Sequence, residues 1–352
     1  MHQTLFYKYT FARGMDSLTQ IVLGAAVAEA VAGRKIGNKA PLWGAVAGTI
    51  PDLDVIFSGM YHPIDGALVH RGLSHSILFA CLMAPLLGWI IHKMYKERYV
   101  QKMWIKLFFW GIITHPMLDM FTNYGTSFFW PFDMRIKFNT VFIIDPLYTL
   151  PFMICLLIAM FKRRDSSSRR KWNNGGLIYS TSYLLFGVII KLIFLNNANA
   201  YFAESDLKTR NAMVAPMPFT SFYWMMLAED DANYYVAYKS IFYAFQPNEV
   251  DTIPKHQREL HQLKWPNKNY AKQLEFISDG YYTTSTRGNT FYFYDLRFGC
   301  VSKITGAKRT MPIMGFKMFV DKGIVQKTKR FVPSRALKDF NFGLYFNKIF
   351  HP

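Results

Sequence analysis

The feature that most limits how this chain can fold is an alternation, over its first 200 residues, of long apolar runs with short clusters of Lys and Arg. Crossing the hydrocarbon of a bilayer takes about 20 apolar residues as a helix. Residues 76–92, 141–161 and 177–195 meet that requirement, and residues 104–121 do so with polar groups near one end. Residues 17–33 and 41–57 are richer in Ala and Gly. They read either as two thin spanning helices or as a re-entrant hairpin, and their small residues permit close packing. Of the 20 Lys/Arg in residues 1–200, 14 fall in three stretches between apolar runs. These are Arg34, Lys35 and Lys39; Lys93, Lys96, Arg98, Lys102 and Lys106; and Lys162, Arg163, Arg164, Arg169, Arg170 and Lys171. That is the positive-inside pattern of cytoplasmic loops, and the only acids in those loops are Glu97 and Asp165. The net charge of +18 therefore needs no nucleic acid to explain it, and none is expected as a partner.

The organisation that follows is an N-terminal extension over 1–14, ahead of the cleaner start at Met15. A helical integral membrane domain of about five or six helices then occupies 15–197. A soluble β-rich or α+β domain occupies 198–352. With six crossings, residues 58–74, residues 122–140, the N-terminus and the C-terminal domain share the outer, extracytoplasmic side. Within the C-terminal part, 233–245 and 281–298 are rich in aromatic and β-branched residues, and Arg287-Gly288-Asn289 supplies turn chemistry for a hairpin. That part carries 21 Lys/Arg against 13 Asp/Glu, the balance of a solvated surface. No cleavable signal peptide is apparent, and Cys81, Cys155 and Cys300 form neither a disulfide framework nor a metal-type spacing.

Polar motifs converge on the outer side. Pro51-Asp52-Leu53-Asp54 closes the second run; Pro51 disfavours continuing the helix, and an extended chain would point Asp52 and Asp54 the same way. His70-Arg71-Gly72-Leu73-Ser74-His75 precedes the third run, with Ser74 able to cap it. The five-residue spacing of the two imidazoles then requires a loop-plus-helix arrangement. His115-Pro116-Met117-Leu118-Asp119 places His and Asp at i and i+4, on one helical face. Asp145, before Pro146, reads as an outer-shell acceptor or a boundary residue. An Asp at a helix centre costs about 2.5–3.5 kcal/mol to insert, less near the interface, and gathered carboxylates repel one another unless cations neutralise them. Bound divalent ions do so and neutral imidazoles do not. Asp52, Asp54, His70, His75, His115 and Asp119 exceed the four ligands of one tetrahedral zinc, so the pattern suggests a dinuclear site holding zinc, with manganese the other choice. Arg71 could stabilise an anionic group, and Gln20, Asn123 and Asp65 could support the ligands. Glu29 is expected to pair with a neighbour near the cytoplasmic side, and His62 and His92 to be incidental.

The run MDSLTQIVLGAAVAEAVAGRKIGNKA, with IPDLD, HRGLSHS and THPMLD in that order, resembles the YdjM-like membrane-bound metal-dependent hydrolases over residues 15–160. That family is distantly similar to the zinc-dependent phospholipase C and P1 nuclease group. The resemblance implies a helical scaffold in a bacterial inner membrane and a metal cluster for phosphoester hydrolysis. It also implies that His115 and Asp119 form the group's His-x-x-x-Asp motif, that Asp54 is a bridging carboxylate, and that His70 and His75 complete the centre. The chain departs from the pattern at Gln20, where some relatives carry a histidine.

The reading that results is a multi-pass, membrane-bound metal-dependent hydrolase acting on phosphoesters of lipid or envelope substrates through a metal-activated water. Asp54 and Arg71 would be the catalytic groups, and membrane lipid the surrounding partner. Two other classes compete. A transporter or ion pathway would use the same groups along a polar track from Glu29 to the outer cluster. An envelope interaction protein would keep the cluster for structure alone.

Overall fold

The computed structural model describes residues 2–58, 60–132, 134–204, 207–243, 250–300, 312–331 and 341–351, with the backbone alone for 2–16. The chain divides into two compact units. One comprises Met1–Phe57 and Val69–Val188, the other Ser58–Leu68 and Ile189–Pro352. The division expected at residue 198 thus falls nine residues earlier, and a short internal segment joins the second unit.

The first unit is helical. α1 (His2–Ile36) runs without a break through residues 2–14, expected as an extension, and α2 (Lys39–Thr49) folds back against it. Gly37, with φ +61°, ends α1 in the left-handed conformation that only glycine adopts freely. The two helices meet backbone to backbone. A Cβ on Gly24 would stand 2.4 Å from the Gly44 carbonyl oxygen, one on Gly44 2.3 Å from Ala28 Cβ, and one on Gly48 2.5 Å from the Gln20 carbonyl oxygen. α5 (Ile77–Met94) starts at Ser76, whose hydroxyl accepts from Phe79 N, so the cap is Ser76 and not Ser74. α6 (Gln101–Asp119) packs on α5, α1 and α2. α7 (Pro146–Met160) is capped by Asp145, which accepts from Leu147 N and Tyr148 N, with Pro146 at the first helical position.

Five or six membrane-spanning helices were expected; among the described residues two are long and apolar enough, α5 and α8 (Ser167–Glu204). α7 is apolar but has 15 residues, and α2 has 11. α1 and α6 have the length, but dilute their apolar residues with small and polar ones. In α5 and α8 only 22% of the apolar window is buried, the reverse of a soluble core helix. Leu82, Leu86 and Trp89 on α5, and Ile178, Leu185 and Ile189 on α8, face outward.

At the basic helix ends Glu29 pairs with Arg169 through two bonds, Nε–Oε1 at 2.6 Å and Nη2–Oε2 at 2.7 Å. Arg169 also donates to Asn38 Oδ1 and to the Lys162 carbonyl. The neighbour expected for Glu29 is this guanidinium.

The second unit holds two antiparallel four-stranded sheets, β1 (Arg210–Pro216) to β4 (Asp251–Pro254) and β5 (Tyr282–Arg287) to β8 (Ile324–Phe331), each ordered along the chain. The expected hairpin joins β5 to β6 (Thr290–Cys300), with Arg287 opposite Thr290 and Gly288 at φ +56°. In β2 (Tyr223–Glu229) and β3 (Asn233–Ser240) successive residues serve opposite cores. Met225, Leu227, Tyr234 and Val236 face one, while Trp224, Met226, Tyr235 and Ala237 face Phe194, Ala198 and Phe202 of α8. The inserted segment includes most of α4 (Pro63–Val69) and buries Ile64 against Leu260, Tyr270 and Leu274. Asp65 accepts from Tyr270 Oη at 2.8 Å and His62 stacks on the same ring, so neither supports the cluster.

Because the α1–α2 contact is backbone against backbone, Gly44→Ala should destabilise the first unit by about 1–3 kcal/mol. Gly175→Ala, on α8 with nothing within 4 Å of the new methyl, should leave the midpoint unchanged or raise it. Thermal unfolding of both variants in one detergent checks the difference.

Candidate metal centre

The groups of interest sit at the ends of the helices opposite their basic ends. Pro51 closes α2, but the chain continues as a single 3-10 turn, Pro51–Leu53, into α3 (Asp54–Ser58). The extended chain considered for Asp52 and Asp54 is absent, because proline's fixed φ suits the first position of a helical turn. The two carboxylates consequently face different partners.

Asp52 joins His75 and His115. One ligand atom from each lies within 4.8 Å of the other two. Asp52 Oδ1 is 3.3 Å from His75 Nε2 and 3.4 Å from His115 Nε2. Asp119 Oδ2 approaches from α6, 3.4 Å from His75 Nε2 and 3.8 Å from His115 Nε2. The second ring nitrogen of each histidine is already committed. His115 Nδ1 lies 2.5 Å from the Gly48 carbonyl and must donate to it, which turns Nε2 toward the centre. His75 Nδ1 lies 2.9 Å from Ser74 Oγ.

Asp54 stands one shell further out. It takes His70 Nδ1 at 2.8 Å on one oxygen and the Ser74 hydroxyl at 2.7 Å on the other. It therefore orients His70 directly and His75 through Ser74. The rings of His70 and His75 are 5.5 Å apart, those of His75 and His115 4.9 Å. Arg71 is only 4% exposed. Its Nε lies 3.2 Å from Asp119 Oδ2 and its Nη1 donates to Thr122 Oγ1 at 2.8 Å. Its φ of +65° is a costly conformation for a residue that carries a Cβ, held in place by Ser127 N bonded to its carbonyl. Gln20 Nε2 donates to Asp119 Oδ1 at 3.0 Å. Asp145 spends its oxygens on the α7 cap and on Tyr183 Oη. Asn123 is buried, and His92 engages the Tyr99 carbonyl.

The structure thus gathers Asp52, His75, His115 and Asp119 around one point, and sets Asp54 with His70 beside it. Ser74, Thr122 and the Gly48 carbonyl were missed in the sequence. Ser74 lies inside the quoted motif, but a backbone carbonyl has no sequence signature.

Electrostatics separate the partners. Burial opposes the Asp52 charge, yet the facing imidazoles of His115 and His75 hold its carboxyl well below the usual carboxylate range. Asp54 is likewise lowered, with His70 overcoming its burial. Burial pushes His75 down to about 4, although Asp52 pulls the other way, so its imidazole is neutral at pH 7. Burial pushes His115 down as well, but Asp52 and Asp119 opposite it raise it to about 9. The Asp52 carboxylate and the His75 imidazole are thus in the forms that bind a divalent ion, while His115 must release a proton when one binds. Among the buried side-chain atoms here, His75 Nε2 and Asp119 Oδ2 meet without a hydrogen bond, although Arg71 Nε stands 3.2 Å from the carboxylate oxygen. A cation there would satisfy both, so the residues present fit a divalent metal.

Comparison with known proteins adds one match. The family described as YdjM inner membrane protein matches over residues 15–194. No curated protein and no solved structure matches the chain.

The depressed His75 pKa has a stability consequence. The unfolded chain takes up that proton near pH 6.5 and the folded chain only near 4, so stability falls as pH drops from about 6.5 to about 4. In metal-stripped protein this loss should approach about 3 kcal/mol. His75→Gln should flatten the midpoint-against-pH curve within that window, measured by thermal denaturation.

Proposed function

The chain belongs to the YdjM inner membrane protein family, and from that premise we propose that it is a membrane-bound metal-dependent hydrolase of phosphoesters, lipid phosphoesters first among them. The observation that carries this reading is the convergence of His75 Nε2 and Asp119 Oδ2, two buried atoms without a hydrogen bond, on Asp52 and His115. Asp52, His75, His115 and Asp119 would hold a single divalent ion, with zinc favoured by the mixed nitrogen and oxygen donors. Such an ion, when bound, lowers the pKa of water toward about 7 and polarises a phosphoryl oxygen.

The remaining chemistry belongs to the chain. Asp52 and His70 keep about a quarter of their side-chain surface exposed, while His75, His115 and Asp119 form a closed floor. Substrate would enter on the Asp52 and His70 side. Asp54 holds His70 through Nδ1, leaving Nε2 to exchange a proton with an attacking water or a leaving alcohol. Gln20 and Arg71 hold Asp119 from two sides, one at each oxygen. The apolar chain neighbours of Asp52, Asp54 and His70 are exposed: Leu53, Ile56, Phe57, Val69 and Leu73. That apolar surface suits an acyl chain beside a phosphate better than a polar metabolite. The positive-inside pattern supports an extracytoplasmic position for this end of the helices.

An ion pathway would need polar groups leading from Glu29 toward the cluster. On α1 the intervening Val22, Ala25 and Ala26 are buried in an apolar cluster with Leu118, Phe152 and Leu156, and Glu29 is satisfied by Arg169. The buried polar groups nearby are bonded in separate pairs, Thr19 with Thr149 and Tyr148 with Ser180, and Asn173 Nδ2 donates to the Ala26 carbonyl.

Detergent-purified protein should contain close to one equivalent of metal by elemental analysis and hydrolyse a member of a phospholipid and phosphodiester panel. Asp52→Ala and His115→Ala should abolish both. Asp54→Asn should keep the metal and lose about 10–100-fold in rate. A metal-free wild type that remains active in the panel would overturn the mechanism; metal-loaded protein that moves ions across liposomes without hydrolysis would overturn the class.

A further inference from the structure

A ridge of exposed aromatic rings crosses one end of the second unit. Its spine is α11 (Phe342–Phe350), which buries Tyr345 and Ile349 and leaves Phe342, Phe346 and Phe350 outside at i, i+4 and i+8. Each of the three is 43–52% exposed, as are Phe242 and Tyr243 at 51% and 41%. The rings are contiguous: Phe346 stacks on Phe342 and Phe342 meets Phe219, while Phe350 meets Phe242 and Phe242 meets Phe222. Rings exposed in such a run in water are costly, and monomeric soluble proteins rarely carry large contiguous apolar patches.

The position of the ridge within the unit identifies what covers it. It lies where β2 begins and β3 ends, because Tyr345 packs on Tyr223, Ser240 Oγ donates to the Ile349 carbonyl, and Phe242 follows β3. The opposite face of that same sheet end meets α8. Phe194 lies 5.8 Å from Trp224, the second residue of β2, and Ile190 and Ile241 pack on the same cluster. On α8, apolar side chains stay exposed through Ile189, Leu192, Ile193 and Leu195, and the run ends at Asn196 and Asn197. The last lipid-facing turns of a helix apolar enough to cross the membrane therefore border the sheet end that carries the ridge.

We propose that the aromatic ridge of α11, Phe242 and Tyr243 seats in the interfacial layer of the bilayer that covers the apolar face of α8. Amphipathic helices lying in that layer bury their apolar face about 5–10 Å into the boundary of headgroups and acyl chains, and aromatic rings concentrate at that depth. The second unit is thereby held against the membrane at two points, the outgoing turns of α8 and the ridge. Neither point depends on the hydrolase reading.

Site-directed spin labelling of the full chain in nanodiscs of phosphatidylethanolamine and phosphatidylglycerol tests this. Cys81 and Cys155 are replaced by serine, and Cys300, 1% exposed, is kept. A nitroxide at Phe346→Cys should collide with oxygen and be shielded from a nickel chelate, with an accessibility ratio several-fold above that of a nitroxide at the exposed Lys329→Cys on β8. Phe242→Cys should behave like Phe346→Cys and serves as the second site should one variant misfold. Equal nickel access at 346 and 329 would overturn the proposal. So would shielding from both reagents, whether with spin–spin broadening, which marks a second copy of the chain, or without it.

Discussion

The approach of α1 to α2 through Gly24, Gly44 and Gly48 sets the position of most groups at the candidate metal centre. Without side chains at these contacts the backbones touch, and that places the Gly48 carbonyl within hydrogen-bond distance of His115 Nδ1 on α6. Where apolar surface faces lipid, no hydrophobic drive separates helix from helix, and close van der Waals packing of small residues takes over. The same helix pair delivers Gln20 from α1 to Asp119 and Asp52 from the turn after α2. Helix packing, ligand tautomer and ligand position thus share one cause.

The centre concentrates charge that would be unfavourable if left alone. Asp119 is almost fully buried with only one oxygen bonded, to Gln20, and Arg71 stands beside the other. Asp52 keeps its charge because two imidazoles face it, and of these only His115, held up to about 9, carries a proton, since burial neutralises His75. Partial compensation of this kind is what a site prepared for a cation requires: a fully neutralised pocket would give the ion nothing to bind, and an uncompensated one would resist folding without it.

Much of this was legible in the sequence, for physical reasons. His-x-x-x-Asp on a helix has one geometry, so the facing of His115 and Asp119 followed from spacing. Glu29 in an apolar run demanded a partner, and Arg169 supplies it. The turn chemistry of Gly288 and Asn289 specified the β5–β6 hairpin. The number of spanning helices was not legible, since Ala, Gly and Leu read as apolar whether they face lipid or another helix. Nor was the division of Asp52 from Asp54, which depends on a 3-10 turn where an extended chain was equally compatible with proline. The cap of α5 moved from Ser74 to Ser76 because two hydroxyls compete over three positions, and Ser74 is drawn away by Asp54.

Two of the buried polar clusters in the first unit carry opposite chemical meanings. Glu29 and Arg169 satisfy each other through two bonds, and Asn38 and the Lys162 carbonyl take up more of the guanidinium. An arrangement so closed binds nothing further and acts as a latch joining α1 to the start of α8. At the other ends of the helices the polar atoms are equally buried but remain incompletely satisfied, and they converge on one point. Burial alone would not distinguish a latch from a site. Unspent hydrogen-bonding capacity does, because natural folds leave few buried polar atoms without partners, and two that face each other across a cluster of carboxylate and imidazole need a shared explanation.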